Sequence, residues 1–251
     1  MKILLHGCNG RMGQVITRII SERNNIEITC GVDLVPDKIK NTYPVYSSLD
    51  QAKEKADVII DFSNHSCIKN LVEYGVKTRT PMVICTTGLD DDDKDLISKA
   101  SETVAVLMSG NMSLGINLML SLVQKAAQVL YGDFDVEIIE KHHNQKLDAP
   151  SGTALMIADA ISSSIDEQPE YKFGRHGKND KRTPSEIGIH SIRGGAIVGE
   201  HEAIFAGAGE VIEIKHTALS RDVFAYGAIK AASFLYRKEN GLYSMKEVIE
   251  G

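Results

Sequence analysis

Residues 2–13 read Lys-Ile-Leu-Leu-His-Gly-Cys-Asn-Gly-Arg-Met-Gly, and this stretch decides the fold that the sequence predicts. Its first part, Lys2–His6, is an apolar run typical of a buried strand, and apolar residues recur at helical spacing from Val15 to Ile20. In this strand–turn–helix context, Gly-x-x-Gly-x-x-Gly indicates a dinucleotide-binding turn rather than an ordinary tight turn. The glycines let the backbone approach a pyrophosphate, and the N–H groups at the start of the helix face its charge.

The acidic residue Asp33 indicates which dinucleotide binds. It ends a second predicted strand, Ile26–Val32, and follows the last glycine by about 20 residues, as the dinucleotide pattern requires. A carboxylate there can accept hydrogen bonds from both ribose hydroxyls of NADH, whereas it would repel the 2′-phosphate of NADPH. We therefore expect NADH to be favoured. NADPH is the alternative, because Arg11, Lys38 and Lys40 lie nearby in sequence and could partly compensate a phosphate.

Predicted strands and helices alternate along the first part of the chain, as in a Rossmann-type, doubly wound parallel sheet. Three further apolar runs end near Phe62, Cys85 and Met108, and open α/β sheets bind ligands beyond the carboxyl ends of their strands. Phe62 could equally be a core aromatic. Residues 86–88, Thr-Thr-Gly, offer small groups against which a nicotinamide can lie, although a plain turn explains them nearly as well. A short helix is predicted over Ser48–Lys55.

The pattern changes after residue 110. A long helix is predicted first, and strand-like runs joined by short Gly-rich turns follow, which favours a mostly antiparallel or mixed sheet. These elements are Leu114–Leu130, Glu186–Arg193, Ile197–Ala206 and Val211–Thr217. We therefore expect an α/β protein with a dinucleotide-binding domain at residues 1–110 and 222–251, and a second, α+β domain with a mixed sheet at residues 111–221.

Candidate chemical groups concentrate in residues 140–153, which read Glu-Lys-His-His-Asn-Gln-Lys-Leu-Asp-Ala-Pro-Ser-Gly-Thr. Two imidazoles, His142 and His143, and the amine of Lys146 can donate protons near neutral pH, and bound carboxylates would raise the pKa of an imidazole. The hydroxyls and free N–H groups of residues 151–153 can hold a carboxylate at the start of a helix. The stretch therefore indicates proton chemistry on an acidic small molecule.

Other interpretations of residues 140–153 stay open. Two adjacent histidines are commonly satisfied surface or core groups, and Pro150 with Ser151 can be a purely structural helix start. Glu140, His142 and His143 also offer atoms that bind metals, but no His-Glu-x-x-His helix is present, so we expect no metal. Asp148 could orient Lys146 or a histidine, or only begin the turn.

Composition excludes several classes of protein. The 251 residues carry a formal charge of −6 and no basic stripe beyond Lys178–Arg182, so we expect no nucleic-acid partner. The four cysteines show no Cys-x-x-Cys spacing, which favours reduced thiols. The apolar start is cut off by Gly7 and is too short for a signal peptide, and no later run reaches membrane-spanning length. We expect a cytoplasmic protein without a membrane partner.

Residues 140–154 closely resemble the signature of the 4-hydroxy-tetrahydrodipicolinate (dihydrodipicolinate) reductase family of lysine and diaminopimelate biosynthesis. The glycine turn supports the resemblance, as do residues 86–88, 109–113, 187–195, 199–201 and 220–221, so it extends over essentially the whole chain. The resemblance implies that a nicotinamide cofactor reduces a cyclic imine dicarboxylate, with loss of water from the 4-hydroxy substrate, to give tetrahydrodipicolinate. It also implies a homotetramer formed through the sheet of the second domain.

The resemblance also implies roles for particular residues. His142 is expected to donate or accept a proton, and Lys146 to be the second proton donor. The residues implied for the substrate carboxylates are His143, Ser151, Gly152 and Thr153. The residues implied or predicted for the cofactor are Gly7, Cys8, Asn9, Gly10, Arg11, Met12, Asp33, Phe62, Cys85, Thr86, Thr87, Gly88, Ser109, Gly110, Asn111 and Met112.

Three positions depart from the family pattern. Cys85 stands where a glycine is common, which puts in doubt how closely the backbone approaches the nicotinamide, and Asn9 replaces a glycine of some members. Leu34 stands where some members carry Arg, which strengthens the expectation of NADH. Two other functions remain as alternatives: a dehydrogenase of similar design acting on an amino acid such as aspartate, and a catalytically silent nucleotide sensor.

Overall fold

The computed structural model describes residues 1–251, which form two compact units. The first unit contains Met1–Leu114 and Asp222–Gly251, and the second contains Gly115–Arg221. The chain therefore leaves the first unit, forms the second, and returns for its last helices.

The first unit is built on a seven-stranded sheet. Its strands are β1 (Lys2–His6), β2 (Glu27–Val32), β3 (Val45–Tyr46), β4 (Val58–Asp61), β5 (Met82–Ile84), β6 (Ala105–Met108) and β12 (Gly241–Tyr243). They are all parallel, in the order β12-β6-β5-β4-β1-β2-β3. The strand order reverses beside β1, so the carboxyl ends of β1 and β4 meet at the switch point where open sheets bind ligands.

Helices cover both faces of this sheet. They are α1 (Arg11–Ser21), α2 (Ile68–Thr78), α3 (Asp91–Ser101), α6 (Asp222–Leu235) and α7 (Met245–Glu250). Successive residues of β1 enter opposite cores: Ile3 and Leu5 join residues of α1, α6 and α7, and Leu4 joins residues of α2 and α3. A strand buried on both faces reads as a continuous apolar run, which is why the start of the chain predicted a strand.

The second unit has a five-stranded mixed sheet. Its strands are β7 (Asp135–His142), β8 (Glu170–Phe173), β9 (Glu186–Arg193), β10 (Gly199–Ala206) and β11 (Val211–Ala218), and its helices are α4 (Leu114–Leu130) and α5 (Gly152–Ser162). The order is β11-β10-β7-β9-β8, with antiparallel pairing of β10 to both neighbours and parallel pairing of β9 to both of its own. Alternate residues of β7 and β10 pack with α4 and α5, and Phe205 is fully buried there.

The predicted fold class is confirmed: a Rossmann-type parallel sheet is accompanied by a mixed sheet of α+β character. The helix predicted over Ser48–Lys55 is wrong, because only a 3-10 turn forms at Leu49–Gln51. Leu49 is the one buried residue of that segment, so no apolar stripe holds a longer helix against the sheet. The short strands β3, β8 and β12 were not predicted, and all three lie at or beside sheet edges.

The turn after β1 generates the first prediction. Gly7 has a φ of 77°, and a β-carbon there would lie 2.5 Å from the Phe62 carbonyl oxygen. Gly88 has the same φ of 77° but nothing within 4 Å of its β-carbon position. Gly88→Ala therefore carries backbone strain alone, about 1–2 kcal/mol, and Gly7→Ala adds an overlap with backbone of about 1–3 kcal/mol.

Urea unfolding of the two variants measures the difference. We expect Gly7→Ala to lower the free energy of unfolding by more than Gly88→Ala does. Equal losses would show that the turn relaxes around the extra methyl group and that the close approach to Phe62 is not required.

Candidate active site

The glycine turn leaves the start of α1 open to a ligand. Gly10 is the N-cap residue of α1, and no side chain caps this helix. A β-carbon at Gly13 would lie 2.4 Å from the Gly7 carbonyl oxygen, so the turn closes tightly on itself. The first-turn N–H groups of α1 can therefore receive a pyrophosphate.

A groove of about 330 Å³ begins at this turn and contains Asp33. Its lining includes His6, Gly7, Gly10, Val32, Asp33, Leu34, Lys38, Leu49, Phe62, Ser63 and Asn64. The Asp33 carboxylate accepts hydrogen bonds from the backbone N–H of Asn9, at 3.0 Å, and of Val35, at 3.1 Å. Both carboxylate oxygens keep further acceptor capacity, so Asp33 is held in place and can still bind ribose hydroxyls. Lys38 is the cation of this groove.

A second groove, of about 440 Å³, shares Phe62 and Ser63 with the first. It is lined by Arg11, Met12, Phe62, Ser63, Cys85, Thr86, Thr87, Ser109, Gly110, Asn111, Met112 and Phe224. The two grooves together follow the carboxyl edge of the parallel sheet, which suits an extended dinucleotide. Burial raises the pKa of the Cys85 thiol well above its ordinary value, so Cys85 forms a neutral wall.

Three residues predicted for the cofactor do not line either groove. Cys8 is fully buried, and burial raises its pKa to about 12. Asn9 acts indirectly, because its N–H holds Asp33 and its side chain donates to the Val35 carbonyl oxygen at 2.7 Å. Gly88 follows Cys85, Thr86 and Thr87, which line the second groove, but does not line it itself. Phe62 lies at the wall of both grooves and also packs against the core.

In the second unit, the buried carboxylate of Glu140 organises the candidate chemical groups. Glu140 and His142 alternate along the inward face of β7, and Arg193 ends the adjacent strand β9. Both guanidinium N–H₂ groups of Arg193 donate to Glu140, at 2.7 and 2.6 Å. Burial by itself opposes ionisation, but the hydrogen bonds from Arg193, His142 and Ser191 outweigh it and lower the pKa of Glu140 to about 2. Glu140 is therefore a carboxylate at neutral pH.

The carboxylate determines which nitrogen of His142 is available. Nδ1 of His142 lies 2.6 Å from Oε2 of Glu140, and an ionised carboxylate can only accept, so Nδ1 carries the proton. Nε2 is left as the working nitrogen. A β-carbon at residue 199 would lie 3.1 Å from this Nε2, so Gly199 keeps the space beside it open. Burial lowers the pKa of His142 below its ordinary value, although Glu140 acts in the opposite direction.

Glu140 also holds the start of α5. The backbone N–H of Ser151 donates to Oε1 of Glu140 at 3.0 Å, and the Ser151 hydroxyl caps α5 by accepting from the Ala154 N–H at 3.2 Å. Gly152 has open space around its β-carbon position, and Thr153 follows it in the first turn. The predicted cap at Ser151 is therefore present. Pro150 precedes the cap and lies outside the helix, because the chain turns at a cis Ala149–Pro150 bond before α5 begins.

His201, which is not among the predicted site residues, completes this cluster. Its Nε2 lies 3.0 Å from the Ser151 hydroxyl, and its ring meets that of His142 edge-on, with 5.2 Å between the centroids. Burial, with the neighbouring His142 as a second cause, lowers the pKa of His201 to about 4. His201 is therefore neutral at physiological pH and adds no charge beside His142. Its only signal in the sequence was the Gly-Glu-His segment of the family resemblance.

Lys146 and His143 lie on the loop between β7 and α5. Nζ of Lys146 lies 2.9 Å from Oδ1 of Asp148, which agrees with the predicted orienting role of Asp148. The hydrogen bond from Lys146 is the main cause that lowers the pKa of Asp148. Arg193 donates to the Asp148 carbonyl oxygen at 2.7 Å, so the same guanidinium holds Glu140 and this loop. His143 is half-buried, and its carbonyl oxygen accepts from the Lys146 N–H.

The metal interpretation of residues 140–143 meets a physical obstacle. Arg193 places a positive charge on both oxygens of Glu140, where a metal ion would have to bind. His142 already uses Nδ1 on the same carboxylate. The arrangement instead is that of a carboxylate which orients an imidazole for proton transfer.

The fold and these groups define a nicotinamide-dependent oxidoreductase. The chain belongs to the dihydrodipicolinate reductase family: the model of the N-terminal part of that reductase matches residues 1–112, and the model of its C-terminal part matches residues 115–249.

Relatives with known names and solved structures are similar over nearly the whole chain. The 4-hydroxy-tetrahydrodipicolinate reductase of Caldanaerobacter subterraneus subsp. tengcongensis is 52% identical, over 100% of this chain and 98% of that protein. That of Clostridium tetani is 49% identical, over 98% and 95%. The structure of dipicolinate-bound dihydrodipicolinate reductase from Paenisporosarcina sp. TG-14 matches with a TM-score of 0.81 at 25% identity, over 98% of each chain.

A more distant structure shows the fold alone: a Thermotoga maritima aspartate dehydrogenase matches with a TM-score of 0.54 at 14% identity, over 95% of this chain and 98% of that one. Family membership therefore outweighs the alternative of an amino-acid dehydrogenase. No helix among α1–α7 has the length and apolar character of a membrane span.

The low pKa of His201 predicts how stability depends on pH. The unfolded histidine takes up a proton near pH 6.5, whereas the folded one does so only near pH 4. Between these values the unfolded chain binds more protons, so His201 destabilises the folded protein as the pH falls through this window. We expect His201→Asn to reduce the slope of the free energy of unfolding against pH by up to about 1.4 kcal/mol per pH unit there.

Urea unfolding across this pH range measures the slope. His176→Asn, at an exposed histidine of the same unit, is the matched control and should leave the slope unchanged. A slope that is the same in the wild type and His201→Asn would contradict the assignment of a neutral, buried His201.

Proposed function

We propose that this protein reduces 4-hydroxy-tetrahydrodipicolinate, by way of dihydrodipicolinate, to tetrahydrodipicolinate, using a nicotinamide nucleotide, in the diaminopimelate route of lysine biosynthesis. The observation that carries the proposal is the Glu140 carboxylate, which holds both an imidazole and the start of α5. A dicarboxylate substrate needs a proton donor and an anion-binding helix start close together. The names of the relatives give this activity, and one related structure contains the dicarboxylate dipicolinate.

The start of α5 is the proposed seat of a substrate carboxylate. Its N–H groups carry the positive end of the helix dipole, and Glu140 with His201 fixes the capping Ser151. Gly152 presents backbone without a side chain, and the hydroxyl of Thr153 adds a donor. His143 is proposed to contribute charge to the same carboxylate or to the second one. These roles explain why small residues begin this helix.

His142 and Lys146 are proposed to move the protons. In the free protein the Nε2 atom of His142 carries no proton near neutral pH, because burial disfavours the imidazolium. A bound dicarboxylate brings negative charge and raises the pKa, so His142 becomes protonated when substrate is present. Lys146 is held by Asp148 and is the second proton donor. The ion pair with Asp148 orients the ammonium group until the substrate replaces it.

The nicotinamide nucleotide, when bound, supplies the hydride. The chain contributes a pyrophosphate seat at the start of α1, a groove that includes Asp33, and a second groove that includes Thr86, Thr87 and Asn111. We propose NADH as the favoured species, because the Asp33 carboxylate is held in the first groove and Leu34 beside it is exposed and uncharged. Lys38, in the same groove, is the cation that would lessen the cost of a 2′-phosphate.

We further propose a cytoplasmic homotetramer. All four cysteines are free thiols, which suits a reducing compartment. One face of the sheet in the second unit packs against α4 and α5. The other face carries the apolar residues Ile139 and Ile204. It also carries Glu200, which forms ion pairs with Lys141 and Lys215. Apolar groups and satisfied charges together suit a self-complementary contact between identical sheets.

Reduction of enzymatically generated substrate tests the proposed function. We expect the wild type to oxidise NADH only when the precursor is present, and to do so with a higher kcat/KM for NADH than for NADPH. His142→Ala and Lys146→Ala should each lower kcat by about 10²–10⁴-fold, because each removes a proton donor, while the affinity for NADH stays similar.

His176→Ala and Lys178→Ala, at exposed positions of the same unit, are the matched controls and should retain activity. No turnover by the wild type above background would refute the proposed reaction. Full activity of both site variants would instead be consistent with the proposed reaction but would contradict the assignment of His142 and Lys146 as proton donors.

A further inference from the structure

A buried carboxylate, Asp61, joins the ends of three parallel strands in the first unit. Asp61 has no exposed surface and ends β4. It accepts hydrogen bonds from Nδ1 of His6 at 2.8 Å, from the Ser63 hydroxyl at 2.6 Å and from the Thr86 hydroxyl at 2.6 Å. His6 ends β1, and Thr86 follows β5. These three side-chain donors, together with the Ser63 backbone N–H at 3.2 Å, converge on one carboxylate at the edge of the sheet where the two grooves meet.

The carboxylate determines which ring nitrogen of His6 remains for a ligand. Since Asp61 only accepts, Nδ1 of His6 carries the proton. In the neutral imidazole, Nε2 then carries the lone pair, and Nε2 makes no hydrogen bond within the chain. Nε2 is not fully enclosed by the protein, and the His6 ring lines the groove that contains Asp33. The acceptor atom Nε2 therefore faces the groove.

The position of His6 in the sheet indicates which part of a dinucleotide it meets. In β1, His6 pairs with Val32, the residue before Asp33, and it directly precedes Gly7 of the pyrophosphate turn. His6 therefore neighbours both the turn proposed for the pyrophosphate and the strand end that carries the carboxylate proposed for the ribose, and all three line the same groove. An acceptor nitrogen would repel a phosphate oxygen, whereas a ribose hydroxyl can donate to it.

We infer that His6 is a cofactor-contacting residue whose Nε2 accepts a hydrogen bond from a hydroxyl of the adenosine ribose, and that Asp61 sets the tautomer which makes this bond. The inference rests on the proposed function only in taking the first groove as the adenosine site. His6 and Asp33 then share the two ribose hydroxyls, and each carries part of the recognition. Asp61 and the hydroxyls of Ser63 and Thr86 are positioning groups, because they act through the His6 ring or the strand ends.

The affinities of three nucleotides for the wild type and for one variant test the inference. Calorimetric titrations would compare ADP, 2′-deoxy-ADP and 3′-deoxy-ADP on the wild type and on His6→Asn, whose side-chain amide can still donate to Asp61. We expect His6→Asn to weaken ADP binding by about three- to tenfold, the range of one hydrogen bond. One of the two deoxy analogues should bind the wild type correspondingly more weakly and should lose nothing further in the variant.

His65→Asn, the same substitution at an exposed histidine after β4, is the control and should leave all affinities unchanged. Unchanged ADP affinity in His6→Asn would overturn the inference, as would equal losses for ADP and both analogues, since these would indicate a structural role alone. If ADP does not bind the wild type, the adenosine site itself is wrong. Turnover of the substrate is measured separately, so the proposed reaction can stand or fail independently.

Nitrogen NMR on the wild type provides a readout that does not depend on the variant folding. With imidazole-labelled histidine, Nε2 of His6 should resonate as an unprotonated nitrogen in the free protein and shift when ADP binds. The Nε2 resonance should shift much less when the bound nucleotide is the deoxy analogue that lacks the donating ribose hydroxyl. A protonated Nε2, or no response to ADP, would also overturn the inference.

Discussion

The second unit depends on the buried ion pair between Glu140 and Arg193. Loss of Arg193 would leave the fully buried Glu140 carboxylate without its cation, at a cost of about 3–5 kcal/mol. The pair is kept because one carboxylate performs two tasks: it fixes the proton on Nδ1 of His142, and it holds the Ser151 N–H at the start of α5. The proton donor and the anion seat therefore cannot move independently. Arg193 extends the same constraint to the loop of Lys146 through the Asp148 carbonyl oxygen.

The first unit uses the same device at a different place. Asp61 is also a fully buried carboxylate, although it ends its strand whereas Glu140 lies within one, and it also fixes Nδ1 of a histidine, His6. Hydroxyl and amide donors take the role that a guanidinium has in the second unit. In both units a strand of the sheet supplies the carboxylate, so its position is determined by the backbone ladder. The parts of each site that lie outside the strands, the glycine turn and the 143–150 loop, adjoin these carboxylates in the chain.

The fold could be predicted in large part because its main elements carry strong local signals. Residues 2–20 combine a doubly buried strand, a glycine turn and an amphipathic helix, and the long helix Leu114–Leu130 was predicted at its observed bounds. The short strands β3 and β12 were missed, because two or three residues form no pattern. The last helix, α7, was also missed, although its capping box of Ser244 and Glu247 is a recognised signal of a helix start.

The candidate site was predictable in its residues but not in its connections. Residues 140–153 were found because their groups are close in sequence, whereas Arg193 and His201 reach the cluster only through strand pairing. The most direct test of the central claim is the tautomer of His142, measured by ¹⁵N NMR of the free protein at about pH 8, where a histidine is neutral. The account predicts a protonated Nδ1 and an unprotonated Nε2. A proton on Nε2 would contradict it, because Glu140 would then not orient the imidazole.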